Sequence, residues 1–226
     1  MAWSIQSTTK TLSAALLAST VMTGAAFAEA KISVYGGANF SPHSGVDYNL
    51  NAGAGNQHIS PSWDGASFEM PPYYGVRATW WLDDMPNVGL AVDFTHGKVK
   101  ANVPIGGFTT LEFTDGINFL TANALYRWDE TEYGLRPYVG AGVGLAIPRV
   151  EVNHPTLAVE TNEYQVTGAA AQIFAGVEYA FDDNWSVFGE LKSNYGQVDA
   201  DLVGGGTLDT NIISNQIIIG VSYKLF

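Results

Sequence analysis

The final segment of this chain, 212–226, alternates between two chemistries. Ile217, Ile219, Val221, Tyr223 and Leu225 fall on one side, and Gly220, Ser222 and Lys224 on the other, ahead of a terminal Phe226. A β-strand turns successive side chains to opposite faces, so this segment reads as a strand with one continuous apolar face. The pattern recurs upstream. Tyr74, Val76, Ala78, Trp80 and Leu82 oppose Tyr73, Gly75, Arg77, Thr79 and Trp81, and Val88, Leu90, Val92 and Phe94 oppose Ala91, Asp93 and Thr95. Val139, Ala141, Val143, Leu145 and Ile147 likewise oppose Gly140, Gly142 and Gly144.

Strand-like stretches fall near 31–40, 71–82, 88–97, 117–128, 136–147, 166–180, 185–196 and 212–226. The segments joining them alternate in length. Those at 83–87, 129–135 and 181–184 are tight, while 41–70, 98–116, 148–165 and 197–211 are long. An eight-stranded antiparallel transmembrane β-barrel has this layout, with short periplasmic turns and long extracellular loops. Each stretch has about the length needed to cross a bilayer at a tilt. Trp80, Trp81, Tyr126, Trp128, Tyr179 and Trp185 gather at the short-turn ends, where an aromatic girdle would meet the lipid interface. A soluble eight-stranded barrel satisfies the same alternation with its faces inverted. The aromatic placement and the two chain ends favour the membrane.

Residues 1–28 read as a cleaved secretory signal: Lys10, an apolar run from Leu12 to Met22, then Ala26-Phe27-Ala28. The mature barrel domain is expected at 29–226. At the other end, the aromatic terminus resembles the segment by which bacterial outer-membrane barrels are recognised by their assembly machinery. The expected location is the outer membrane. A net charge of −12 without a basic stripe argues against nucleic acid as a partner. Cysteine is absent, which removes disulfides and thiolate chemistry.

Arg77, Asp93, Arg127, Gln172, Glu178, Glu190 and Lys192 should point into the barrel. A barrel this narrow is filled by side chains, and opposite charges inside it must pair. Conduction is therefore not expected. The long connections carry His43, His58, His96 and His154, with Asp64, Glu69, Glu112, Asp115, Glu151 and Glu160. Imidazole with carboxylate suits metal binding or acid–base work, although no tight metal motif is present. Gly204-Gly205-Gly206 reads as a loop tip, since no Lys and no helix follow it.

The stretch Trp63-Asp64-Gly65-Ala66-Ser67-Phe68-Glu69-Met70-Pro71-Pro72-Tyr73-Tyr74-Gly75-Val76-Arg77-Ala78-Thr79-Trp80-Trp81 resembles the outer-membrane lipid A oxidase family of rhizobia and other α-proteobacteria. Leu111–Gly116, Pro137–Gly140, Ala146–Pro148, Tyr164–Gly168 and Trp185–Glu190 look like the same family. The resemblance implies oxidation of the proximal glucosamine of lipid A to 2-aminogluconate, with molecular oxygen as acceptor. Only a free anomeric hydroxyl can be so oxidised, so the substrate must lack the 1-phosphate. An acidic surface suits such a lipid. Flavin and nicotinamide fingerprints are absent, and a divalent metal ion held by rim residues is the simplest way to handle oxygen.

His43, Glu69, His96 and Asp115 are the residues expected to bind that metal or to act as base on the anomeric hydroxyl. Glu69 shares the inward parity of Tyr73 and Arg77, and Asp115 stands in the same way before the fourth strand. Expected partners are lipopolysaccharide, membrane lipids and the barrel assembly machinery, with the chain a monomer. The competing reading is a non-enzymatic surface barrel of OmpA-like or porin-like type. A lipid A deacylase using His58 and Ser60 is a third.

Overall fold

The computed structural model describes residues 27–51, 55–157 and 159–226. The expected leader lies almost wholly outside the described residues, and the first strand begins at Phe27, two positions before Glu29. The strands are β1 (Phe27–Phe40), β2 (Val46–Asn49), β3 (Gln57–Ile59), β4 (Trp63–Asp64), β5 (Tyr74–Leu82), β6 (Val88–Ala101), β7 (Thr110–Arg127), β8 (Leu135–Asn153), β9 (Thr161–Tyr164), β10 (Gly168–Ala180), β11 (Trp185–Leu202) and β12 (Gly206–Lys224).

Eight of these form an antiparallel ring in the order β1-β5-β6-β7-β8-β10-β11-β12. β12 closes it on β1, from Lys31 opposite Lys224 to Phe40 opposite Asn215. Closure pairs every ring strand on both sides and removes the edges on which open sheets aggregate. The alternating segments read from sequence are these eight strands. The four short strands attach outside the ring path: β2 on β12, β3 on β2, β4 on β6 and β9 on β8.

Three of the long connections prove to be mostly strand. β11 runs on to Leu202 and β12 starts at Gly206, so 197–211 is a hairpin turning through Gly204 and Gly205, both at positive φ. The 98–116 and 148–165 segments are likewise built largely of β6, β7, β8 and β9. The fourth connection, 41–70, holds β2, β3 and β4.

The upper halves of the strands invert the pattern of the lower halves. Low on β11, Val187 and Leu191 face outward while Ser186, Glu190, Lys192 and Asn194 are buried. Higher up, Val198, Ala200 and Leu202 are buried while Gln197, Asp199 and Asp201 are exposed. The pleat is unbroken; the surroundings change. Hydrocarbon outside the lower barrel favours apolar outward side chains, and water outside the upper barrel favours polar ones. The upper lumen consequently closes over an apolar core that includes Val46, Val99, Phe108, Phe113, Val150 and Leu208.

Tyr126, Trp128, Tyr179, Trp185 and Tyr223 stand exposed on the outer face at the short-turn end, as a girdle requires. Trp81 does not join them. It is buried in the lumen, with the Arg127 guanidinium 4.0 Å above its ring.

Candidate functional site

The lumen holds the densest polar chemistry, and its charged groups are paired with one another, although Trp81 Nε1, Gln172 Oε1 and Asn194 Oδ1 have no partner among the described residues. Arg77 donates to Glu190 through two bonds of 2.7 and 2.8 Å, and to Asp93 Oδ2 through bonds of 3.2 and 3.0 Å. Lys192 Nζ donates to the same Asp93 oxygen at 2.7 Å and to Tyr35 Oη at 2.8 Å. Tyr35 donates to Asp93 Oδ1 at 2.6 Å, Tyr138 to Glu190 at 2.9 Å, and Gln172 to Asp93 at 2.9 Å. Two cations face two anions, so the buried group is neutral. Buried charges persist only when paired and hydrogen-bonded in this way.

Nearer the periplasm a second neutral set follows. Lys31 pairs with Glu29 and Glu178, and Arg127 with Glu29. All seven residues expected inside the barrel are in these networks. They form a plug, and the apolar core above them closes the extracellular half.

The four nominated catalytic residues do not converge. His43 is exposed in the segment before β2. Glu69 does not extend β5, because residues 65–73 leave strand geometry; its carboxylate is exposed and lies 3.8 Å from Lys100 Nζ. Asp115 falls in a register shift of β7 between Glu112 and Ile117, and its carboxylate pairs with Arg149. His96 alone is enclosed. Among the described residues, no group of three or more His, Asp or Glu side chains is arranged to hold a metal ion. The residues present therefore do not fit the shared metal expected of them.

His96 has a different kind of order. It sits on β6 directly opposite Tyr74 of β5 and Asn118 of β7, and its ring stacks on Tyr74 at 4.8 Å. Asn118 Nδ2 donates to the Ile147 carbonyl at 3.1 Å, which turns Oδ1 toward His96 Nδ1 at 2.9 Å. An accepting oxygen there places the imidazole proton on Nδ1 and leaves Nε2 with its lone pair. That Nε2 is buried and has no partner among the described residues. Gly116, at φ +94°, allows the close approach, since a Cβ there would lie 2.3 Å from Nδ1.

The Trp63–Trp81 stretch borders this histidine. β4 pairs with the top of β6, Ser67 and Asn39 exchange hydrogen bonds, and Lys98 Nζ donates to the Met70 carbonyl at 2.6 Å. Phe68 and Met70 are left 84% and 82% exposed, beside outward-facing Tyr74. Above them, Asp64, Lys100, Glu112, Glu151 and Asn162 occupy matched register positions across five strands. Partial burial, and then Glu151, raise the Glu112 carboxyl above its ordinary range against the opposing pull of Lys100 and Lys98.

Tyr74, Lys98 and Asn118 were not singled out from sequence. Their meeting depends on strand register, which no local motif announces. His58 bonds Asp47 at 2.8 Å within the β2–β3 pair, exposed to solvent. It thus lies on a short strand, where an unstructured loop was expected. His154 packs on the Phe108 ring and bonds Thr156.

The sequence model of the family described as "Outer membrane protein beta-barrel domain" matches residues 11–224. No curated protein matches the chain. Among solved structures, Neisserial surface protein A is similar over 86% of this chain and 96% of its own, at 16% identity and a TM-score of 0.47. OprG from Pseudomonas aeruginosa covers 89% and 98% at 12% identity and a TM-score of 0.47. The outer membrane protein AlkL covers 90% and 92% at 18% identity and a TM-score of 0.43.

Proposed function

This chain belongs to the outer membrane protein β-barrel domain family and resides in the outer membrane; on that premise we propose that it is an enzyme oxidising the proximal glucosamine of 1-dephosphorylated lipid A with molecular oxygen. The reading rests on the resemblance of the Trp63–Trp81 stretch to lipid A oxidases. The observation that carries it is the unpartnered Nε2 of His96, on the outer wall at the extracellular end of β6 beside that stretch. A buried acceptor without a partner costs about 1–3 kcal/mol, so its retention suits a site where a hydroxyl arrives as donor.

The chemistry balances without a further substrate. The anomeric carbon loses its hydrogen and the hydroxyl its proton, giving a lactone; two electrons and two protons pass to dioxygen, which becomes hydrogen peroxide. Water then opens the lactone to the 2-aminogluconate. His96 would take the hydroxyl proton at Nε2, while Asn118 holds Nδ1–H and stabilises the imidazolium that forms. Phe68 and Met70 would rest in the acyl region beneath the sugar. Expression in a host whose lipid A lacks the 1-phosphate should yield lipid A heavier by one oxygen, with peroxide formed in equal amount. His96→Gln should lower both by about 10²–10⁴-fold.

A second reading is favoured by the dispersal of His43, Glu69 and Asp115: a non-enzymatic surface barrel. Unchanged lipid A from a correctly folded, surface-located protein would establish that reading in place of the oxidase.

A further inference from the structure

On the wall formed by β10, β11, β12 and β1, the apolar outer band is interrupted once by a polar pair. Ser193 of β11 and Asn215 of β12 stand directly opposite each other, and Ser193 Oγ donates to Asn215 Oδ1 at 3.0 Å. The matched row continues to Phe40 on one side and Ile173 on the other. Leu191 and Ile217 lie one outward position below. Together these side chains border a groove of about 470 Å³.

The pair is not self-sufficient. Its one hydrogen bond uses the Asn215 carbonyl oxygen, and the two Nδ2 hydrogens have no partner among the described residues. Hydrocarbon offers none either, and an amide without partners in an apolar medium is strongly disfavoured.

Depth identifies what could serve it. Tyr195, with its hydroxyl bonded to Asn211 at 2.6 Å, and Gln197 above it mark where the outward face turns polar. Ser193 lies two residues below Tyr195, or about 5 Å closer to the bilayer centre for a strand rising 3.3 Å per residue at a 40° tilt. Acyl carbonyls and near-head hydroxyls of outer-leaflet lipids lie at that level, just beneath the headgroups.

We propose that this groove is a binding site for one outer-leaflet lipid, whose acyl-chain carbonyl or hydroxyl oxygen accepts from Asn215 Nδ2 while the chain lies along Phe40, Ile173, Leu191 and Ile217. The site stands on a different wall from His96 and does not depend on any enzymatic role. The occupant this assigns is lipid A, whose hydroxyacyl chains bring both a carbonyl and a near-head hydroxyl to this depth; a diacyl glycerophospholipid carries only the carbonyl and is the alternative that the test separates.

The test is native mass spectrometry of the purified, folded barrel titrated separately with 1-dephosphorylated lipid A and with phosphatidylethanolamine. Wild type is expected to hold one lipid through detergent exchange. Asn215→Leu, which keeps the branching of the side chain and removes the donor, should weaken that retention about tenfold. Ala175→Phe, which fills the groove from its lower edge, should abolish it. Asn215-dependent binding of lipid A in preference to phosphatidylethanolamine supports the assignment, and equal or stronger Asn215-dependent binding of phosphatidylethanolamine overturns lipid A as the occupant. Retention unchanged in both variants, or no retained lipid in the wild type, overturns the proposal. Circular dichroism of each variant shows that the barrel is intact.

Discussion

Arg77 and Glu190 meet across the lumen, from β5 to β11, through two parallel hydrogen bonds of 2.7 and 2.8 Å. With Asp93 and Lys192 they form a neutral buried quartet, and the guanidinium also lies 4.2 Å over the Phe174 ring. Arg77→Met should leave Asp93 and Glu190 with Lys192 alone as counter-charge. The expected cost is about 3–5 kcal/mol, the range for breaking one side of a buried pair. Urea unfolding in lipid vesicles, followed by Trp fluorescence, measures it. Adding Glu190→Gln to Arg77→Met should recover part of the loss, because the second change removes an anion the first has orphaned.

Space for this quartet depends on glycines facing it. A Cβ on Gly75 would lie 2.1 Å from the Tyr35 ring, whose hydroxyl bonds Asp93. Gly75→Val should therefore act on the charge network through Tyr35. A loss of about 1–3 kcal/mol is expected from overpacking. In the double variant Gly75→Val, Tyr35→Ala the ring is gone, and the valine should add little further cost.

How far the sequence reveals this arrangement differs between the two halves of a single strand. Along β11, Val187 and Leu191 alternating with Glu190 and Lys192 announce a strand between lipid and lumen. Beyond Tyr195 the same strand continues, but Gln197, Asp199 and Asp201 occupy the face that had been apolar. A reader following the lower pattern sees an interruption and infers a loop. Only the water outside and the apolar lumen within make the upper half a strand. The candidate site was harder to see for another reason. Tyr74, His96 and Asn118 are neighbours through two separate registers, and the shift between Glu112 and Ile117 decouples Asp115 from them. Parity suggested that Glu69 and Asp115 would share a rim; a turn at 65–73 and that shift send them to Lys100 and Arg149.

The apolar upper lumen should be separable from the barrel below it. Phe113 is fully buried there, with its ring 6.0 Å from that of Trp63. Phe113→Ala should cost about 3–5 kcal/mol as a cavity opens. Hydrogen exchange is expected to rise in 98–116, 148–153 and 197–211 while the lower strands stay protected. Uniform loss of protection in all eight strands would show instead that the two halves unfold together.

The extracellular hairpin carries a charge conflict that pH should expose. Asp199, Asp209 and Asp47 are directly opposed across β11, β12 and β2. Partial desolvation, then Asp199 and Asp47, push the Asp209 carboxyl above its ordinary value. Folding thus favours its protonated form. The stabilisation is present in full below the ordinary carboxylate range and is lost as pH rises through the raised folded-state value. Asp209→Asn should make the hairpin's hydrogen-exchange protection independent of pH over that window, and raise it at neutral pH. Carbon-13 titration of the Asp209 carboxyl gives the direction of the shift independently.

Asn118 offers a way to examine His96 without removing it. Its Oδ1 is the acceptor that keeps the imidazole proton on Nδ1 and Nε2 free. If His96 is the base in lipid A oxidation, His96→Gln should cost about 10²–10⁴-fold in rate. Asn118→Leu removes one hydrogen bond and should cost about fivefold, in line with roughly 1 kcal/mol. Asn118→Asp is the informative variant, because a carboxylate at Nδ1 strengthens the imidazole's hold on a second proton. The neutral, basic form then disappears at a higher pH, so the acid limb of the rate profile should move upward while the rate on the alkaline side is kept. A purely structural role for Asn118 predicts a uniform fall in rate in both variants with the profile unmoved.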